Sequence, residues 1–186
     1  VDMVLLWIEQ HNFRMRIKRK RHTKLGDYRP PQNGKGHFIT INYDLNKYAF
    51  LITLVHEIAH LTNWDKHKNT VKPHGAEWKQ DFRELMLPLL KQNIFPDDVH
   101  HAINQYMQNP AASSCSDLHL LRTLKRYDEK NNFVHLEDLP PQAKFKIANG
   151  LVFTKGEKRR TRFKCTEMRT NRIYLVSALM EVEQII

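Results

Sequence analysis

The chain has 186 residues, 41% of them hydrophobic and 27% charged, with a formal net charge of +10. This balance excludes an intrinsically disordered segment, and the length accommodates one domain or a domain with a small appendage. No apolar run reaches the roughly 18 residues of a membrane span, and the opening VDMVLLWIEQ lacks the basic start of a secretory signal. Two cysteines, Cys115 and Cys165, make no disulfide framework, so a cytoplasmic protein with no membrane partner is expected.

Met3 to His11 reads as a short amphipathic helix with Val4, Leu5 and Ile8 on one face. Phe13 to Lys18 then alternates apolar and basic residues, the pattern of a half-buried strand whose apolar side faces the core. Arg14, Arg16 and Lys18 form its basic side, and Arg19, Lys20 and Arg21 carry the charge into a loop. Gly26 to Pro31 and Asn33 to Gly36 have turn chemistry. His37 to Asn42 alternates again and is expected to pair with the first strand as a long hairpin, with Asn42 or Asp44 capping the helix that follows.

That helix, Tyr48 to Trp64, is apolar around most of its circumference, the sign of burial. Its only charged or imidazole side chains are His56, Glu57 and His60. Two histidines four residues apart lie about one turn from each other, so both can reach one ion, with the intervening glutamate placed to act as a general base. Two imidazoles and a carboxylate are costly to bury, and a cation compensates all of them. A catalytic zinc takes a third protein ligand from elsewhere. His67, His74 and Glu77 are candidates, of which His74 is held at a rigid corner between Pro73 and Gly75.

Beyond a polar loop, Trp78, Phe82, Leu85 and Leu89 mark the buried stripe of another helix, which Pro88 should kink or end. Asp97 to Gln108 forms a further helix with Pro96 at its start. A boundary is expected near Asn109 to Ser113, dividing residues 1–110 from a tail of 111–186. In the tail, Leu118 to Tyr127 is a short helix at most. Phe145–Ile147, Leu151–Phe153, Arg162–Cys165 and Arg172–Val176 read as short strands, with Asn149-Gly150 and Lys155-Gly156 as turns.

The positive charge is concentrated. Residues 11–36 hold nine Lys/Arg against one acidic residue, and 155–172 hold eight against two. Such runs are the footprint of a polyanion, most often nucleic acid. Arg14, Arg16, Lys18, Arg19, Lys20 and Arg21 in the first run and Lys158, Arg159, Arg160 and Arg162 in the second are the expected contacts. No base-reading element is evident, so DNA binding would be driven by the phosphate backbone and fall steeply with salt.

HEIAH, a gap of 13 residues and then HGAEW, together with GHFITIN and TKLGDYRPP, resemble the SprT-like zinc metalloproteases, which include the Spartan proteases of DNA–protein crosslink repair. The resemblance covers about Phe13 to Leu90. It implies an α+β, zincin-like core, one catalytic zinc on His56, His60 and His74, Glu57 as the base, a protein substrate and a DNA partner. Many such proteins end in a zinc ribbon with four cysteines. Here only Cys115 and Cys165 are present, so the tail is expected to be a small, ribbon-like β module without a second zinc. A peptidase also needs a further donor for the tetrahedral oxyanion, and Tyr28, Tyr43 and Tyr48 remain open for that role. Two other readings stand beside this one: a nucleic-acid-binding module with a structural zinc, and a zinc peptidase with no DNA role.

Overall fold

Helix α2 (Lys47–His67) is the axis of the first part of the chain. Its start is set by Asn46, whose side-chain oxygen accepts from the N–H groups of Tyr48 and Ala49 at 3.1 and 3.0 Å. Such a cap stabilises a helix by about 1 kcal/mol. Asn42 and Asp44, expected as caps, are used otherwise. Asn42 is buried beneath Arg21, and Asp44 pairs with Lys20 at 3.6 Å.

The computed structural model describes residues 2–21, 24–110, 117–129 and 134–185. Its contacts divide it into two compact units, Val1–Asp128 and Glu129–Ile186. Five α-helices and two sheets stand among the described residues, an α+β arrangement. None of these helices is long and apolar enough to cross a membrane.

In the first unit, α1 (Asp2–His11) leads to β1 (Arg14–Lys18), followed by β2 (Gly26–Arg29) and β3 (Phe38–Asn42). The sheet order is β1-β3-β2. The expected hairpin is not formed: β1 runs parallel to β3, with Met15 opposite Ile39, and β2 is the antiparallel neighbour. Gly26 to Arg29, read from sequence as a turn, supplies that neighbour. The true reversal is the Asn33-Gly34 turn, closed by a bridge between Gln32 and Lys35.

The expectation that β1 turns an apolar side to the core also fails. Met15 and Ile17 are 38% and 47% exposed, and Phe13, just before the strand, is the buried residue. β1 is an edge strand, while Ile39 and Ile41 of the central β3 fill the core instead.

α3 (Ala76–Lys91) packs Trp78, Phe82, Met86 and Leu89 inward. Pro88 neither breaks nor ends it at once, because it falls in the last turn, where only the bond to the residue four before is forgone. α4 (Asp97–Gln108) has the expected bounds. α5 (Leu118–Lys125) lies past the boundary expected after residue 110, yet Leu120 and Leu124 belong to the first unit's core. Asn46 also donates to the Leu124 carbonyl and to Asp128 at 2.9 and 2.6 Å, tying this segment to the start of α2. Residues 111–116, which include most of the expected boundary and Cys115, lie outside the described residues.

The second unit is a six-stranded antiparallel sheet, order β4-β9-β5-β6-β7-β8. Its strands are β4 (Val134–His135), β5 (Lys144–Lys146), β6 (Val152–Arg159), β7 (Arg162–Glu167), β8 (Ile173–Ser177) and β9 (Glu181–Ile185). Its own core is built on Leu136, Phe145, Phe153, Phe163 and Val182. Asn149-Gly150 turns β5 into β6 with Gly150 at φ 87°. Lys155-Gly156 does not turn: it lies inside β6, where the register shifts between Lys155 and Lys158. A Cβ on Gly156 would stand 2.5 Å from the Lys164 carbonyl oxygen, the close backbone approach that a glycine in a strand permits. Cys165 is buried and unpaired.

Candidate metal centre

His56 and His60 project from one face of α2, and His74 reaches the same point from the loop before α3. The Nε2 atom of His56 is 3.3 Å from that of His60 and 3.2 Å from that of His74. Ligands about 2.0–2.1 Å from a tetrahedral zinc stand about 3.3 Å from one another, so the spacing fits the ion. His74 holds this place with φ 59°, in the left-handed region. Among the described residues, no other His, Cys or carboxylate joins the group. His67 ends α2 outside it, and Glu77 is exposed.

Burial drives the imidazoles toward the neutral form that binds metal. It pushes His56 down to about 2 and His60 to about 3, with the neighbouring rings adding to the effect, and lowers His74 as well. Trp78, fully buried, floors the cluster with its ring centroid 4.6, 5.3 and 4.7 Å from those of His56, His60 and His74. Sequence reasoning assigned Trp78 to the core alone. The HGAEW stretch, which sets Trp78 four residues after His74, was the available signal.

Glu57 is 6% exposed and faces strand β2. Burial, reinforced by Asp27, pushes its carboxyl up to about 8, against the opposing influence of the Tyr28 backbone N–H, Arg21 and Lys24. Gly26 makes room for it: a Cβ there would stand 2.7 Å from Glu57 Cγ and 2.8 Å from Cδ, and closer still to Oε1. Neither Gly26 nor the Tyr28 amide was singled out from sequence. The stretch that carries them, TKLGDYRPP, reads in sequence as turn chemistry and as part of the resemblance, with only the Tyr28 side chain open for a role.

The basic residues separate into kinds. Arg14, Arg16, Lys18, Arg19 and Lys20 are exposed, as are Lys158, Arg159, Arg160 and Arg162 around the β6–β7 turn. Arg159 leans on Glu157 at 3.3 Å. Arg21 departs from the expectation. Its guanidinium donates to Asn42 Oδ1 at 2.7 Å and Thr40 Oγ1 at 3.0 Å, so it secures the loop between β1 and β2 to β3 and is not free for phosphate.

Comparison with known proteins gives one match. The SprT-like family matches over residues 6–101, a span that begins in α1 and takes in the three histidines, Glu57 and the whole of α3. No curated protein and no solved structure matches the chain.

Proposed function

The chain belongs to the SprT-like family, which is related to the zincin-like metallopeptidases, and from that membership we propose that it is a zinc-dependent endopeptidase acting on DNA-associated protein. The observation that carries the proposal is the convergence of one buried and two half-buried imidazoles, all held toward the neutral form, beside a buried carboxylate. A structural site would be closed by a fourth protein ligand and would have no use for Glu57. Zinc held by His56, His60 and His74 would supply Lewis acidity to a carbonyl and acidify water.

The remaining work falls to side chains and backbone. Glu57 accepts a proton at its carboxylate and passes it to the departing amine. The positive ion beside it would return its carboxyl from about 8 toward the ionised form such a base needs. The Tyr28 N–H and the space above Gly26 fix its orientation. Among the described residues β2 pairs with β3 alone, so an extended peptide can add to its other edge, next to Glu57.

The DNA part rests on the exposed basic residues of β1 and of the β6–β7 turn. The test is cleavage of a DNA-bound basic protein by zinc-loaded enzyme, with and without added DNA, using Glu57→Gln as control. Cleavage that needs Glu57 and DNA is expected. Cleavage indifferent to DNA would leave a general peptidase, and cleavage by Glu57→Gln at the wild-type rate would overturn the assigned base.

A further inference from the structure

Hydrolysis of an amide builds negative charge on the carbonyl oxygen, and a donor aimed at that charge is a large source of rate. Of the three tyrosines near the site in sequence, Tyr43 is 65% exposed. Tyr48 is engaged elsewhere, with Phe95 and Tyr127 at centroid distances of 6.1 and 5.0 Å, two turns before His56. Tyr28 alone touches both halves of the centre. Its ring lies parallel to that of His60, 5° between planes and 6.5 Å between centroids, while its backbone N–H serves Glu57.

The Tyr28 hydroxyl is the first link of a chain. It is 2.9 Å from His37 Nδ1, and His37 Nε2 is 3.3 Å from Asp65 Oδ1. The His37 ring is also wedged edge-on against Trp64, with centroids 5.4 Å apart. Trp64 and Asp65 follow His60 by about one helical turn, so the helix that bears two of the histidines also anchors the phenol.

We propose that Tyr28 donates a hydrogen bond to the scissile carbonyl oxygen as it gains charge, and that His37 and Asp65 are positioning residues that hold the phenol for this. The proposal rests on the peptidase reading above. A hydrogen bond donated by His37 Nδ1 to the Tyr28 oxygen leaves the phenolic proton for the substrate. Tyr28 forms no covalent bond and no net proton transfer is required of it.

The test compares zinc-loaded wild type with Tyr28→Phe, Asp65→Asn and the double variant, using a DNA-bound basic protein as substrate with DNA present throughout. Zinc affinity is read by chelator competition, and acetohydroxamate binding from the visible spectrum of the cobalt-substituted protein. Tyr28→Phe is expected to lower kcat by about 100-fold, with KM and zinc affinity unchanged. It should weaken acetohydroxamate by about tenfold, the value of one charge-assisted hydrogen bond. Asp65→Asn should give a smaller loss of kcat, and the double variant should be no worse than Tyr28→Phe. Wild-type kcat in Tyr28→Phe, losses that multiply in the double variant, or a change confined to zinc affinity would each overturn the proposal. If wild type binds zinc but cleaves nothing, the peptidase reading fails by itself. A weakened acetohydroxamate complex in Tyr28→Phe would still support Tyr28 as the donor, and an unchanged one would remove both.

Discussion

Gly26→Ala is the smallest change that should disable the centre without touching a metal-binding residue. The added methyl would stand 2.7 and 2.8 Å from Glu57 Cγ and Cδ, where ordinary contacts are about 3.5–4.0 Å. Glu57 sits inside α2, whose backbone is packed on all sides, so the side chain itself must retreat by about 1 Å. A displacement of that size at a catalytic group can cost about 100-fold in rate, and overpacking a tight interior costs about 1–3 kcal/mol. The assay has two arms. Steady-state cleavage should fall by about 100-fold with zinc binding intact. Denaturant unfolding of a double-mutant cycle should show the Gly26→Ala penalty shrinking by at least about 1 kcal/mol in a Glu57→Ala background, because the clash is gone. An equal penalty in both backgrounds, or a loss of zinc along with activity, would refute the placement of Glu57 against β2.

His74→Ala should abolish tight zinc binding, measured by chelator competition, and stoichiometric zinc in that variant would remove His74 from the centre. In the metal-free protein, Glu57 is raised to about 8, so its neutral carboxyl contributes stability that is full below its ordinary pKa and is lost as pH rises through 8. Metal-free Glu57→Gln should therefore gain on wild type between pH 5 and 8.5 in denaturant melts. The depressed His56 and His60 act in the opposite sense, losing stability as pH falls below about 6.5, but are common to both proteins and cancel. Arg21→Ala should cost about 2 kcal/mol through its lost bonds to Asn42 and Thr40 and leave the salt dependence of DNA binding unchanged. Arg14→Ala with Arg16→Ala should do the reverse, keeping stability while reducing the slope of log affinity against log salt by about 2.

What could be read from the sequence was what repeats locally. The histidine spacing on α2, the Trp78–Phe82–Leu89 stripe and the span of α4 are properties of one helix at a time, and periodicity reports them. β2 was hidden because GDYR has no apolar alternation. It becomes a strand through pairing with β3, and that pairing is also what sets β1 parallel. Asn46 lost the capping assignment to Asn42 and Asp44 because all three have the right chemistry, and only the loop securing Asn42 under Arg21 tells them apart. At the centre, the charged and imidazole groups declared themselves by type. Gly26, Trp78 and the Tyr28 amide act by shape or backbone, and side-chain chemistry does not announce them.

The stretch between α2 and α3 carries the final consequence. Lys68 opens it with φ 52° and His74 nearly closes it with φ 59°, both non-glycine residues in the left-handed region. Each such residue works against folding by about 1–2 kcal/mol, whereas His56 and His60 ride on a helix that needs no such distortion. Assembly of the centre is thereby split into an inexpensive two-pronged half and a sprung third prong. Zinc captured first by the helix would recruit His74 afterwards, and the metal-free protein should be nicked by trypsin at Lys68 or Lys72 sooner than the loaded one. Metal supply would then govern how long the protein survives as well as how fast it works.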